Sequence, residues 1–209
     1  MTRLCETLVL GVTGSVAAAE APVLIRKLRD EVCSDVHVIL TRTARRFVSR
    51  RALELYAGRP VLRDLFDTAP GMRVAHVALA ERANVVLVAP ATANVLAKCA
   101  HGLCDDLLST TLVATHAPVV LAPNMNQAMW TSRVVQRNVA LVRELGHRVV
   151  EPAWGYEIAD GLPSFGAMPP FRELQKALAE ALASAAGGRN PERAPPAADV
   201  SSSGSTRPT

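Results

Sequence analysis

Four short stretches and one histidine carry the residue types and spacings that could do chemistry in this 209-residue chain. The first stretch is APNMNQAMW, residues 122–130, where an apolar run ends in proline and then two asparagines, two methionines and a tryptophan. A carboxamide such as that of Asn126 donates and accepts hydrogen bonds in one plane. Met129 and Trp130 could wall an apolar pocket or pack a subunit interface. Core packing would explain the methionines and the tryptophan, but not the two asparagines beside them. The second stretch is VAPATANVLAK, residues 88–98. Pro90, Thr92 and Asn94 there offer close backbone approach and side-chain hydrogen bonds, which suit a flat heterocycle with donors and acceptors on its edge. A plain polar turn is the alternative.

The third stretch is GVTGSVAA, residues 11–18. Gly14 permits a tight turn and Ser15 offers a hydroxyl. A helix starting near Val16 would point free N–H groups outward, an arrangement suited to phosphate. A tight turn with Ser15 as N-cap stays open as the simpler reading. The stretch is neither GxGxxG nor a Walker loop, which argues against a dinucleotide or a triphosphate. The fourth is LTRTARRF, residues 40–47, where Thr41 and Thr43 could reach the same phosphate or merely cap a helix. His76, in RVAHVALAERA just before a short helix, is the best general base the chain offers, because imidazole titrates near neutral pH. A structural role is its alternative. His37, His101, His116 and His147 have no comparable context and read as structural.

These residues need elements to hold them, and the hydrophobic pattern supplies an alternation of strand and helix. Strands are expected at Leu8–Val12, Val36–Leu40, Asn84–Ala89, Val119–Ala122 and Arg148–Val150, and helices at Val16 to about Arg29, Ala44–Ala57, Val95–Ala100, Asp105–Thr115, Arg133–Leu145 and Phe171–Ala186. NVVLVA, residues 84–89, is apolar throughout, as in a strand covered on both faces. Such alternation implies right-handed βαβ units and a parallel sheet between two helical layers. The fold class is therefore α/β: a three-layer, doubly wound, single domain over residues 1–186. Ligands of such sheets sit beyond the carboxyl ends of the strands, where all four stretches fall. Residues 153–170, rich in Pro and Gly, read as a loop or flap. Residues 187–209 turn to Pro, Ser, Gly and Arg and read as a disordered tail.

Bulk properties narrow the function further. The net charge is +4 and only 4% of residues are aromatic, so there is no stacking platform for nucleic acid. No apolar run reaches the roughly 18 residues of a membrane span, and the amino-terminal stretch reads as a strand and not a signal peptide. Cys5, Cys33, Cys99 and Cys104 form no CxxC pair and match no zinc spacing. They read as buried hydrophobes of a cytoplasmic protein with no metal.

Taken in order, the stretches resemble the homo-oligomeric flavin-containing cysteine decarboxylases. Gly14 to Ala17 matches the Gly-Ser-(Ile/Val)-Ala element of that family, and Pro123 to Trp130 matches its Pro-x-Met-Asn-x-x-Met-Trp motif in full. Pro90 to Val95 is a variant of Pro-Ala-Ser-Ala-Asn-Thr, with Thr92 keeping a hydroxyl and Val95 losing one. Gly102 to Leu108 matches Gly-x-x-Asp-(Asp/Asn)-Leu-Leu, and the histidine is His76. The similarity spans about residues 5–185. It implies a Rossmann-like flavoprotein with FMN as cofactor, held by Gly14, Ser15, Val16, Thr41, Thr43, Pro90, Ala91, Thr92, Asn94 and Met129. It also implies trimers, assembling into dodecamers, with FMN at the contact between subunits.

Within the family, phosphopantothenoylcysteine decarboxylases carry an Ala-Cys-Gly segment in the late flap, whereas here the flap reads GYEIADGLPSFGAMPP with no cysteine. It resembles the clamp of the peptide decarboxylases of the epidermin and mersacidin type, through Tyr156, Glu157, Ile158, Gly161, Met168 and Pro169. The resemblance implies oxidative decarboxylation of the C-terminal cysteine of a precursor peptide to an enethiol, the route to aminovinyl-cysteine. His76 then takes the thiol proton, the hydride passes to FMN, and Asn126 holds the substrate, with Asn124 and Met125 beside it. Partner modifying enzymes would act on the same peptide. Phosphopantothenoylcysteine decarboxylation is the enzymatic alternative, and a regulatory flavoprotein the non-catalytic one.

Overall fold

The computed structural model describes residues 3–67, 72–156 and 161–187. Five parallel strands form the sheet: β1 (Cys5–Val12), β2 (Cys33–Leu40), β3 (Val85–Ala91), β4 (Val119–Pro123) and β5 (Arg148–Val149). Their order is β2-β1-β3-β4-β5, so the winding reverses between β1 and β3. Every residue of β3 is buried, as a central strand covered on both faces requires.

Side chains alternate along the strands into two cores. Leu8, Leu10, Leu87 and Ala89 face one side, against α1 (Ala21–Glu31), α2 (Arg50–Ala57) and α8 (Phe171–Gly187). Val9, Val86 and Val88 face the other, against α3 (Ala75–Arg82), α4 (Ala93–His101), α5 (Leu107–Ala114) and α7 (Arg133–Glu144). Each fully buried leucine contributes about 1.5–3 kcal/mol, so the two cores together hold the sheet rigid beneath its loops.

The expected elements are present, with five differences. The helix expected from Val16 is a 3-10 turn, Val16–Glu20, followed by α1. Pro22 has no N–H to give the carbonyl of Ala18, so an α-helix begun at Val16 could not run through it. The helix expected over Ala44–Ala57 is likewise broken, into a 3-10 turn at Ala44–Arg46 and α2, which Ser49 caps by accepting from the Ala52 N–H at 3.4 Å. His76 lies inside α3 and not before it. A short helix, α6 (Gln127–Trp130), follows the two asparagines that come after β4. The flap, read as a loop, holds an antiparallel hairpin of β6 (Ala153–Tyr156) and β7 (Pro163–Ala167), with Trp154 edge-on to Phe165 at 5.9 Å. Of the expected tail, residues 187–209, Gly187 instead closes α8, and the rest lies outside the described residues. No helix among the described residues is long and apolar enough to cross a membrane.

Candidate functional site

Strands that diverge at a reversal of winding leave a crevice at their carboxyl ends. Here that crevice is a cavity of about 800 Å3. Thr13 and Gly14 enter it from the end of β1, Thr41 and Thr43 from β2, and Thr92 and Asn94 from β3. Ile39, Val95, Leu107, Leu108 and Met129 give it apolar walls, and Phe66, 93% exposed, stands at its rim.

The corners of this cavity are held by their own hydroxyls. Thr13, buried, donates to the Pro90 carbonyl at 2.7 Å and accepts from the Thr92 N–H at 3.1 Å, which stitches β1 to β3 across the switch point. The Ala89–Pro90 peptide is cis. Thr92 caps α4 by accepting from the Val95 N–H at 3.4 Å, and Thr41 donates to the Val12 carbonyl at 3.1 Å. Gly14 packs directly on Thr43, where a Cβ would overlap the threonine side chain, so glycine is required for the close approach. Lys98 reaches into the same wall, with its Nζ 2.6 Å from Asp105 Oδ1 and 2.6 Å from Asp106 Oδ2. Burial works against the ammonium, but the two carboxylates outweigh it and raise the Lys98 pKa.

A second cavity of about 270 Å3 adjoins the Ser15 corner. Ser15, Val16, Asn124, Met125 and Asn126 form its floor, and Gly155, Tyr156, Ser164, Gly166 and Ala167 of the hairpin cover it. Its polar lining is hydroxyl and carboxamide, with no charged side chain among the described residues. Asn126 is the N-cap of α6. Its Oδ1 accepts from the Met129 N–H at 2.8 Å, which fixes the carboxamide and leaves Nδ2 as the donor for a ligand. Ser15 makes no cap bond to its own turn and gives its hydroxyl proton to Asn124 Oδ1 instead.

Among the residues expected from sequence, Gly14, Thr41, Thr43, Thr92, Asn94 and Met129 meet in the larger cavity, and Ser15, Val16, Asn124, Met125, Asn126 and Tyr156 in the smaller. Pro90 and Ala91 are buried beside the cavities and line neither. Gly161, Met168 and Pro169 also line neither; Met168 packs on the core at the base of the flap. Glu157 and Ile158 lie outside the described residues. Trp130, expected to serve a pocket or an interface, is buried in the core beside α7. His76 lines neither cavity of its own chain. Its Nδ1 is buried without a hydrogen-bond partner among the described residues.

Sequence reasoning passed over Thr13, Lys98, Ser164 and Gly166. A signal for Lys98 existed: it stands four residues before a glycine and seven and eight before a pair of aspartates, the second of which starts a helix with a hydroxyl at N3.

A doubly wound sheet with an apolar-walled, hydroxyl-rimmed cavity at its switch point defines a protein that binds a flat, anionic cofactor. The chain belongs to the Flavoprotein family, whose model matches residues 3–183. It is 39% identical over 172 residues to the coenzyme A biosynthesis bifunctional protein CoaBC of Mycobacterium tuberculosis, covering 82% of this chain and 40% of that protein. The chain thus spans less than half the length of this curated relative. Among solved structures it resembles SpaF, an FMN-dependent cysteine decarboxylase, at 39% identity and a TM-score of 0.74, covering 87% of this chain and 97% of that one. It also resembles a PPC decarboxylase mutant complexed with pantothenoylaminoethenethiol, at 27% identity and a TM-score of 0.73, covering 83% and 96%.

Proposed function

We propose that the protein is an FMN-dependent enzyme that oxidatively decarboxylates the C-terminal cysteine of a precursor peptide. The observation that carries this reading is the smaller cavity, which holds neither a thiol nor a charge among its described residues. The four cysteines stand elsewhere: Cys5 and Cys33 at the start of the first two strands, Cys99 buried in α4, and Cys104 in the turn after it. No side chain of the flap can therefore return a proton and electrons to the product as a cysteine would, and the reaction ends at the oxidised stage. The hydroxyls and carboxamides among the described lining residues can hydrogen-bond the amide and carboxylate groups of a peptide end.

The larger cavity suits FMN. Its apolar walls fit a planar ring, Asn94 and the backbone of the β3 corner fit the ring edge, and the Gly14 and Thr43 corner fits the phosphate. When bound, FMN would supply the acceptor for one hydride, which carries both electrons of the oxidation. The substrate carboxylate is held by Asn126 Nδ2. His76 removes the thiol proton, so the sulfur lone pair can form C=S as hydride leaves its carbon. The thioaldehyde places an electron sink β to the carboxylate. Carbon dioxide then departs, its bonding pair moves onto sulfur, and protonation gives the enethiol.

His76 reaches neither cavity of its own chain, so we assign it to the cavity of a neighbouring subunit in a trimer. The unpartnered Nδ1 supports this, because a buried imidazole nitrogen without a partner is costly. The expected result is that His76→Asn and Asn126→Ala each retain FMN and lose turnover, and that a mixed assembly of the two recovers activity. Normal turnover by either variant refutes its role, and inactive mixed assemblies refute the shared site. The second reading, phosphopantothenoylcysteine decarboxylation, is favoured by the identity to CoaBC. Turnover of that compound with loss of carbon dioxide alone would establish it. The four unpaired thiols fit a cytoplasmic setting.

A further inference from the structure

Asn124 is expected from sequence to touch substrate, yet its two polar atoms are already engaged. Its Oδ1 accepts the hydroxyl proton of Ser15, and its Nδ2 donates to the Gly166 carbonyl at 3.2 Å. The same carbonyl accepts the Met125 N–H at 3.1 Å, and the Phe165 N–H donates to Gln127 Oε1 at 3.2 Å. Strand β7 thus hangs from residues 124–127, and Asn124 is the side chain that carries the contact on to the corner after β1. The backbone leaves no slack at this point. Gly166 has φ +154°, and a Cβ on it would collide with the Met125 carbonyl. The Asn124 N–H is itself bonded to the Ala91 carbonyl at 3.0 Å, so the relay is anchored on the sheet.

We propose that Asn124 is a positioning residue that couples the flap to the cofactor corner through the chain Ser15, Asn124, Gly166. Only a carboxamide can serve, since the site needs an acceptor toward Ser15 and a donor toward Gly166 in one plane. Aspartate keeps the acceptor and turns a second acceptor on the Gly166 carbonyl. Alanine loses both bonds. Seated this way, the hairpin holds Tyr156 and Ser164 over the cavity that Asn126 lines, and a peptide end is gripped from both sides.

The test is hydrogen exchange of residues 153–167, read by mass spectrometry on the full-length, FMN-loaded protein, with steady-state kinetics on a cysteine-ended peptide in parallel. Asn124→Ala and Asn124→Asp are expected to speed flap exchange roughly threefold to tenfold, as loss of one or two modest hydrogen bonds implies. KM for the peptide rises over the same range while kcat changes less. Ser15→Ala, compared at saturating FMN, gives a smaller effect that vanishes in the Asn124→Ala background, because Ser15 acts on the flap through Asn124. Unchanged flap exchange in the Asn124→Asp protein, or additive Ser15 and Asn124 effects, would overturn the proposal. A fall in kcat at unchanged KM would place Asn124 on the reacting atoms instead. The kinetic arm rests on the peptide reading, whereas the exchange arm needs no substrate and decides the coupling even if that reading fails.

Discussion

Asp106 shows how one residue serves both cavity wall and helix. It accepts from the Ser109 N–H at 2.8 Å in a capping box at the start of α5, and its second oxygen holds Lys98 at 2.6 Å. Replacing it with alanine should cost about 0.5–2 kcal/mol through the lost cap alone, read as a lower urea midpoint, while asparagine should recover most of the loss. Equal losses in the two variants would mean that the ion pair and not the cap carries the effect. Asn126 is a similar case. Its type and place in the first stretch marked it in the sequence, but its second duty as the cap of α6 did not show, because a helix of four residues leaves no periodicity to read. Trp130 misled for the converse reason. A tryptophan beside two asparagines looks like part of a site, and only the packing of α6 on α7 shows that it turns into the core. His76 was marked as the candidate base by residue type alone, and its absence from both cavities of its own chain was not legible.

At the scale of elements, β3 and its two cores could be read directly, since an unbroken apolar run has few other uses. The hairpin β6–β7 could not, because its strands are only four and five residues long and carry glycine and, in β7, proline. What makes it a hairpin is tertiary: the bonds from Met125 and Gln127 and the edge contact of Trp154 with Phe165. Gly166→Ala should therefore unseat the hairpin, because the added methyl meets backbone. A stability loss on the order of 1–3 kcal/mol is expected, together with faster chymotryptic cleavage at the flap aromatics. A Gly166→Ala protein as stable and as resistant as the parent would show that the close approach to Met125 is not maintained in solution.

For the molecule as a whole, two histidines make stability depend on pH just below neutrality. Burial, reinforced by Arg59, holds His37 below its ordinary pKa against the opposing pull of Asp35, and burial does the same to His147. Both are thus more readily protonated in the unfolded chain. Stability is complete above the unfolded value of about 6.5 and falls as pH drops through it, because the unfolded state then binds more protons. The urea midpoint should decline between about pH 7.5 and 5.5, with a shallower slope in His37→Gln. A midpoint that is flat or rises on acidification would contradict this.

The central claim concerns the substrate and the fate of its electrons, and one assay addresses both. The FMN-loaded protein is incubated in air with a short peptide ending in cysteine, with phosphopantothenoylcysteine in a parallel tube, and both are weighed by mass spectrometry. The account predicts a peptide product lighter by one carbon dioxide and two hydrogens, with the phosphopantothenoyl compound unchanged. Loss of carbon dioxide alone from the phosphopantothenoyl compound, with the peptide untouched, would contradict it.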